Sequence, residues 1–297
     1  MKRQAKSYCY ALVTVGLWST VASASKITLS YLTPTEVLFF SCHVSLVVLF
    51  LIILFQGKLG QLLCYNWRDI ISSVGYGFLN PFAYYLLLFK AYDLLPAQQA
   101  QIINYTWALS LTVLSIPLLK QSVSKKQWFA IIMSYSGVFV IATKGRVFSL
   151  DFDEPLGIGL ALGSTVIWAL YWVLNTKDTR DPVLGLFLNF FFALPMIFIY
   201  LYFTEGLSLP SAQGLFGALY IGVVEMGVAF VLWLYAMKLT DSTAKIANLI
   251  FITPIVSLFL IHYLVGEKIY MSTLVGLVLV IGGLGVQAFV KEDLDVR

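Results

Sequence analysis

The sequence predicts an all-helical integral membrane protein in which ten transmembrane helices form a 5+5 inverted-topology repeat. Composition, the length of the apolar runs and internal similarity carry this prediction. The 297-residue chain is 60% hydrophobic and only 11% charged, and its mean hydropathy is +0.87. A soluble domain carries about 25% charged residues, so that class is excluded. Apolar residues come in runs of roughly 20, which is the length of a helix that crosses the hydrocarbon core.

Ten apolar runs are separated by short polar segments. Their approximate bounds are 8–29, 35–55, 70–91, 97–118, 127–143, 156–175, 183–203, 214–238, 242–264 and 271–290. The first run follows Lys2, Arg3 and Lys6 and contains Ala22-Ser23-Ala24, features that also occur in cleaved signal peptides. Because this run has full spanning length and an internal counterpart, we expect it to remain as the first transmembrane helix.

The distribution of Lys and Arg predicts the orientation. With ten spans and a cytoplasmic N-terminus, 14 basic residues fall on the cytoplasmic side and 5 on the other, which accounts for all 19. Basic residues concentrate in cytoplasmic loops. We therefore expect a multi-pass protein of the cell inner membrane with both termini in the cytoplasm.

The two halves of the chain resemble each other. Gly16–Ser19 parallels Val166–Ala169 about 150 positions later, and Leu88–Tyr92 parallels Trp233–Met237 at an offset of 145. Matches in constant order indicate two repeats, 1–146 and 147–297. Five spans in each half make the second repeat enter the membrane from the opposite side, an architecture common in secondary transporters. A duplication that built only a stable bundle, without transport, is the structural alternative.

Five short motifs are the basis for comparing this chain with known families. They are Leu17-Trp18-Ser19-Thr20, Asn104-Tyr105-Thr106-Trp107, Ile167-Trp168-Ala169-Leu170-Tyr171, Thr253-Pro254-Ile255-Val256 and Gly266-Glu267-Lys268. Over its whole length the chain resembles the drug/metabolite transporter superfamily of EamA type, and the first three motifs resemble the YddG-type exporters of aromatic amino acids and related metabolites. The resemblance implies a central cavity lined mainly by predicted helices 1, 3, 4, 6, 8 and 9. One departure is that 120–123, Lys-Gln-Ser-Val, lacks the Gly-Glu pair of the second half.

Glu225 is the one carboxylate in the middle of an apolar run. A charge at bilayer depth costs roughly 2.5–3.5 kcal/mol on insertion scales, so an intramembrane carboxylate indicates a partner or a functional site. At an offset of 145, Asn80 in helix 3 corresponds to Glu225 in helix 8. Two interpretations remain open: a structural Asn–Glu contact, or a site for a substrate ammonium group or a proton.

Polar and aromatic residues at helical spacing indicate the faces that turn inward. Gln101, Asn104 and Tyr105 share one face of helix 4, and Trp107 lies one turn beyond Asn104. Helix 6 carries a stripe of Trp168, Tyr171 and Asn175. Ordinary helix packing explains many of these aromatic residues equally well. The predicted substrate-binding residues are Asn80, Gln101, Asn104, Trp107, Trp168, Tyr171, Glu225 and Asn248.

Glu225 and His43 are the candidates for proton coupling. A lone histidine such as His43 is more often a packed residue than a proton relay. Cys9, Cys42 and Cys64 lack metal-ligand spacing, so we expect no metal and no cofactor. The basic residues lie at helix ends rather than in a patch, which argues against nucleic-acid binding.

These observations predict a secondary active transporter that works by alternating access and exports amino acids or related small metabolites. Its partners are the small-molecule substrate and the lipid bilayer, and we expect it to act as a monomer. A multidrug or organic-cation exporter and a metabolite importer of the same fold are the alternatives. The sequence contains no catalytic motif, so we do not expect an enzyme, and an intramembrane enzyme is the more distant alternative.

Overall fold

The computed structural model describes residues 3–119, 123–148, 154–175, 178–206, 208–240, 246 and 249–295. Every regular element in those residues is helical. The α-helices are α1 (Arg3–Thr28), α2 (Pro34–Phe55), α3 (Leu59–Leu62), α4 (Trp67–Gly77), α5 (Tyr84–Leu94), α6 (Ala97–Asn104), α7 (Trp107–Leu119), α8 (Lys125–Ala142), α9 (Pro155–Asn175), α10 (Pro182–Thr204), α11 (Ala212–Val223), α12 (Phe230–Leu239), α13 (Ile252–Val265) and α14 (Met271–Asp295). Two π-helical turns (Phe78–Ala83 and Val224–Ala229) and a 3-10 turn (Leu249–Phe251) complete the set.

Four continuous helical stretches in the described residues have the length and apolar character of membrane spans. They are Pro34–Phe55, Pro155–Asn175, Pro182–Thr204 and Ala212–Leu239. The third predicted span is interrupted by a π-helical turn, and the fourth is broken between α6 and α7 at Tyr105–Thr106. The all-helical membrane class is therefore confirmed, and the count of ten spans stays a prediction.

The two π-helical turns lie at corresponding places in the two halves. Asn80 lies in the first turn, where it leaves helical geometry with φ −145° and ψ 115°, and Pro81 follows it. Glu225 lies in the second turn, which joins α11 to α12. Single π-turns inside α-helices are frequent at functional sites. Asn80 and Glu225, which correspond in the two halves, thus both lie where a helix is irregular.

The helices pack in a regular set of pairs. α1 contacts α12 and α13, whereas α9 contacts α5 and α7. α2 contacts α10 and α11, α10 also contacts α4, and α8 packs along α14. Glycines permit the closest approach: a Cβ at Gly276 of α14 would lie 2.3 Å from Cγ1 of Ile141 in α8. Small residues at helix interfaces are typical of membrane bundles because they let backbones approach closely.

One end of the bundle is held together by charged groups around Arg180, and we call it the Arg180 end. Lys58 and Asp181 form an ion pair at 2.7 Å. Burial favours protonation of Asp181, but the hydrogen bond from Lys58 and those from the backbone N–H groups of Leu184 and Val183 outweigh it, and the pKa of Asp181 falls below its ordinary value. This ion pair therefore links the segment before α3 to the start of α10.

The opposite end contains Glu267, and we call it the Glu267 end. The Glu267 carboxylate accepts hydrogen bonds from the backbone N–H groups of Ala97 (2.6 Å) and Gln98 (3.2 Å), where α6 begins. The Lys26 ammonium donates to the carbonyls of Tyr92 (2.7 Å) and Leu95 (2.8 Å), where α5 ends. A negative charge at a helix N-terminus and a positive charge at a C-terminus both offset the helix dipole.

Candidate functional site

A cavity of about 590 Å³ lies inside the bundle between α1, α5, α6, α9 and the second π-helical turn; we call it the central cavity. Five predicted substrate-binding residues line it: Gln101, Asn104, Trp107, Trp168 and Glu225. The rest of the lining is mostly aromatic or aliphatic: Trp18, Val21, Ala22, Tyr84, Leu88, Tyr92, Tyr105, Trp172, Trp233 and Ile250. Binding sites for small molecules are commonly largely apolar, with a few placed polar groups.

Trp168 is the centre of the aromatic wall. Its ring stacks on Tyr84 with centroids 4.4 Å apart, and it makes edge contacts with Phe230 at 5.6 Å and Trp107 at 6.5 Å. The helical stripe of α9 brings Trp168 to this position, because every third or fourth residue of a helix faces the same neighbour. The wall suits an apolar or aromatic ligand body, and aromatic faces also attract cations.

Glu225 supplies a carboxylate oxygen, Oε2, that accepts no hydrogen bond from the described residues. The residue is only 8% exposed. The Tyr85 hydroxyl donates a hydrogen bond to Oε1 of Glu225 at 2.9 Å, whereas Oε2 has no partner among the described residues. A buried polar atom without a partner is costly in an apolar interior. The oxygen is therefore positioned to bind a proton, or to accept a hydrogen bond from an ammonium group or from water in the cavity.

Asn104 is held by two helices. It accepts a hydrogen bond from the Tyr84 hydroxyl (3.3 Å) at Oδ1, and its Nδ2 donates to Oγ of Ser164 (3.0 Å). Gln101 accepts a hydrogen bond from Oγ of Ser257 in α13 at 2.5 Å. These contacts join α6 to α5, α9 and α13 and fix the orientation of both amides at the cavity surface.

Two indole N–H groups at the central cavity are buried without a partner. They belong to Trp18 and Trp172, and no described group accepts a hydrogen bond from either. The cavity thus combines donors for an electronegative ligand group with the acceptor on Glu225. The spacing patterns did not predict Trp18 or Trp172 as site residues. The repeat offers a signal for Trp18, since it corresponds to Trp168 at an offset of 150.

Tyr84 and Tyr85 are also absent from the predicted set. They directly follow the first π-helical turn, and both are buried. Tyr85 bonds to Glu225 and Tyr84 bonds to Asn104, so the pair orients two polar residues of the cavity. The one sequence signal for these two tyrosines is that they closely follow Pro81, near the middle of the third predicted span.

Three predicted residues, Asn80, Tyr171 and His43, are not part of the lining of the central cavity. Asn80 is fully buried beside the Tyr171 hydroxyl and makes no hydrogen bond to Glu225, so the proposed Asn–Glu contact is replaced by Tyr85–Glu225. Tyr171 lines a different cavity. His43 is exposed, with Nδ1 3.0 Å from the carbonyl of Phe39 in the preceding turn. Asn248 lies outside the described residues.

A second cavity of about 480 Å³ lies toward the Arg180 end. Its lining comprises Tyr171, Trp172, Asn175, Asp178, Arg180, Pro182, Gly185, Leu186, Phe230 and Leu234. Burial disfavours the charged guanidinium of Arg180, but its hydrogen bonds to Asp178 outweigh this and raise its pKa. Arg180 therefore stays a paired cation at the floor of the second cavity.

The described residues contain no cluster of three or more His, Cys, Asp or Glu side chains that could hold a metal ion. The polar groups of the central cavity are instead a carboxylate, two amides and several indole and phenol groups. This set suits recognition of a small organic molecule by hydrogen bonds and ring contacts.

The EamA-like transporter family model matches residues 5–143 and 155–287 of the chain. An uncharacterized transporter of Archaeoglobus fulgidus is 22% identical over 284 residues, with 94% of this chain and 96% of that protein covered. The uncharacterized transporter YyaM of Bacillus subtilis is 24% identical over 274 residues, with 87% and 86% covered. A protein crystal structure shares the fold with a TM-score of 0.69 at 20% identity, covering 98% of this chain and 99% of that one.

Proposed function

The chain belongs to the EamA-like transporter family, and we propose that it is a secondary active transporter that exports amino acids or related small metabolites by alternating access. The two relatives described above are both named as uncharacterized transporters. The proposal adds the substrate class, the direction and the mechanism to this family assignment. The substrate is an amphipathic molecule with an amine at one end and an apolar or aromatic body.

The unpartnered Oε2 of Glu225 is the observation that carries the substrate class. An ammonium group supplies the hydrogen bonds and the opposite charge that this buried oxygen lacks. The rings of Trp168 and Tyr84 offer a flat wall for the body of the ligand. The indole N–H groups of Trp18 and Trp172 suit a carboxylate or carbonyl on the same molecule. An amino acid contains all three features.

We propose ten spans in two inverted repeats, 1–146 and 147–297. The two stretches matched by the family model support this division. The helix pairs support it as well, because exchanging the halves converts α1–α12 into α9–α5, α1–α13 into α9–α7, and α2–α11 into α10–α4. Two inverted halves place the substrate site near the membrane midplane. Each chain then contains a whole site, so we propose that it acts as a monomer.

Alternating access requires contacts at both ends that break in turn. At the Glu267 end, Glu205 accepts hydrogen bonds from Thr33 and Thr35, and Ser208 donates to Glu36. The pair Lys58–Asp181 occupies the other end. With 14 of 19 basic residues on the side of the termini, we propose that the Arg180 end faces the cytoplasm of a cell inner membrane.

An exporter of organic cations is the second candidate function. A carboxylate beside an aromatic wall binds a cation that has no carboxylate of its own. Proton coupling through Glu225 fits both candidates, because one carboxyl group can exchange a proton for an ammonium group. His43 is exposed on α2 and has no place in this scheme.

Uptake into liposomes containing the purified protein tests the proposal. A panel of labelled amino acids, organic cations and nucleotides is compared for wild type, Glu225→Gln and Glu154→Gln. Glu154 is an exposed glutamate outside the cavity and serves as the matched control. Removing a charged hydrogen-bond partner costs about 1.5–3 kcal/mol, so Glu225→Gln should slow transport of amines roughly 10- to 100-fold.

Two results would contradict the proposal. Transport of no compound in the panel would reject the proposed substrates. Unchanged transport by Glu225→Gln, combined with lowered thermal stability, would assign Glu225 a purely structural role. For coupling, the wild-type rate should depend on a pH gradient, whereas the Glu225→Gln rate should not.

A further inference from the structure

The chain turns back on itself between α5 and α6, and we call residues 92–98 the α5–α6 corner. Tyr92 of α5 lines the central cavity just before the turn, and Gln101 of α6 lines it just after the turn. The two helices therefore flank one cavity, and the corner that joins them lies at its Glu267 end. Leu95, in the middle of the corner, is buried, so this segment is packed into the protein.

Lys26 of α1 holds the first side of this corner by its backbone. The ammonium group donates to the carbonyls of Tyr92 (2.7 Å), Leu95 (2.8 Å) and Asp93 (3.3 Å). In a continuing helix the Tyr92 carbonyl would accept from the residue four positions on, but that residue is Pro96, which has no N–H. Lys26 therefore replaces a missing helical donor, and it fixes a residue of the cavity wall from outside the cavity.

Glu267 holds the second side of the corner. Its carboxylate accepts hydrogen bonds from the backbone N–H groups of Ala97 (2.6 Å) and Gln98 (3.2 Å) and from the Gln98 side-chain amide (3.2 Å). The same amide donates to the carbonyl of Lys268 at 2.8 Å. Glu267 also attracts the Lys26 ammonium group. The corner is thus held between two opposite charges that attract each other.

This arrangement belongs to one half of the chain. Glu267 is part of the Gly266-Glu267-Lys268 motif, and the corresponding segment 120–123 of the first half lacks the Gly-Glu pair. The helix pairs recur when the halves are exchanged, whereas the contact of Glu267 does not. The charged contacts therefore stabilise closure at the Glu267 end specifically.

We propose that Lys26 and Glu267 are positioning residues that clamp the α5–α6 corner over the Glu267 end of the central cavity, and that the clamp opens before a substrate passes this end. Opening frees the Tyr92 carbonyl and lets the Tyr92 side chain leave the cavity wall. The role of the clamp in export rests on the proposed function, whereas the clamp itself rests on the contacts of the two charged residues.

The accessibility of an introduced cysteine tests the clamp without any substrate. Cys9 and Cys64 are exposed, so Cys9→Ser/Cys64→Ser removes the accessible thiols. Leu88→Cys then places a thiol in the wall of the central cavity, one turn of α5 before the corner. A maleimide labels the purified protein, and the rate is measured at position 88. Cys42 is buried in α2 outside the cavity and reports any general loosening of the bundle.

Three variants are compared in this background. Lys26→Met removes the ammonium group, and Lys26→Arg keeps a charged donor. Lys90→Met is the matched control, because Lys90 pairs with the side chain of Asp93 at 2.7 Å. It removes a positive charge at the same corner and leaves the backbone contacts of Lys26 in place.

Labelling at position 88 should be roughly ten- to hundred-fold faster with Lys26→Met than in the background protein. Loss of a hydrogen bond to a charged group changes an equilibrium by about this factor, and a buried thiol reacts in proportion to the population of the open state. Lys26→Arg should restore most of the slow labelling. Lys90→Met should label at the background rate, and labelling of Cys42 should not change in any variant.

Three results would overturn the clamp. They are an unchanged rate at position 88 with Lys26→Met, an equal increase with Lys90→Met, and a parallel increase at Cys42. If Lys26→Met does not fold, Glu267→Gln decides the matter. It keeps an oxygen acceptor but loses the charge, so labelling at position 88 should rise about two- to five-fold, and no rise would overturn the clamp. Transport and labelling fail separately: a protein that transports none of the panel but labels as expected retains the clamp.

Discussion

Gly77 lies where α4 approaches α10, immediately before the first π-helical turn. A Cβ added at Gly77 would lie 2.3 Å from the carbonyl oxygen of Asn189, 3.2 Å from its carbonyl carbon and 3.3 Å from the backbone nitrogen of Ala193. All three neighbours are backbone atoms, so rotation of a side chain cannot relieve the contact. Gly77→Ala therefore has to displace one helix from the other.

Gly75, in the same helix, provides a control for the loss of stability expected of Gly77→Ala. Gly75 has no heavy atom within 4 Å of an added Cβ. Gly75→Ala should increase the free energy of unfolding by up to about 1 kcal/mol, because alanine is the better helix former. Overpacking at Gly77 should decrease it by about 1–3 kcal/mol. The two variants should accordingly differ by roughly 1–4 kcal/mol.

Unfolding of the purified protein in mixed micelles with increasing SDS, followed by the fluorescence of the seven tryptophans, measures this difference. Equal stability of the two variants would refute the close contact between α4 and α10.

Two further predictions concern the ends of the bundle. Asp181 has a lowered pKa, so its ion pair with Lys58 contributes fully above the ordinary carboxyl pKa, and the contribution is lost as the pH falls through the lowered value. Asp181→Asn keeps an N-cap oxygen but loses the charge, so its stability should fall less on acidification, by at most about 1 kcal/mol; identical pH profiles of unfolding would contradict this. Glu267→Ala should lower stability by about 1–2 kcal/mol through loss of the cap on Ala97 and Gln98, and Glu267→Gln should restore part of it. Unchanged unfolding of Glu267→Ala would contradict that role.

The lining of the central cavity shows which site residues the spacing within one helix can predict and which it cannot. Gln101, Asn104 and Trp107 were grouped because helical geometry places them on neighbouring faces, and all three line the cavity. Trp168 and Tyr171 are grouped by the same rule, yet Trp168 lines the central cavity and Tyr171 lines the second cavity. Periodicity specifies a direction around one helix axis, whereas a cavity wall depends on where a second helix crosses it.

Hydrogen-bond partners that are far apart in the chain could not be predicted from the sequence. Asn80 was aligned with Glu225 by the repeat, but an offset gives corresponding positions in two halves, not contact between them. The hydroxyl that reaches Glu225 comes from Tyr85, five residues beyond Asn80 in the same half. His43 is a sequence candidate for proton coupling, but only the packing of α2 shows that its ring lies against Phe39 on an exposed face.

The sequence by itself determined that this chain is a helical membrane protein and that Glu225 lies in the middle of an apolar run, and its internal offset predicts two related halves. Those properties follow from composition, run length and internal offset, which are local or additive along the chain. Only the tertiary structure decided that Oε2 of Glu225 has no hydrogen-bond partner among the described residues, and that Trp172 lines two cavities. The physical reason is that hydrogen-bond partners and cavity walls come from helices far apart in sequence, and close packing of those helices sets which atoms meet.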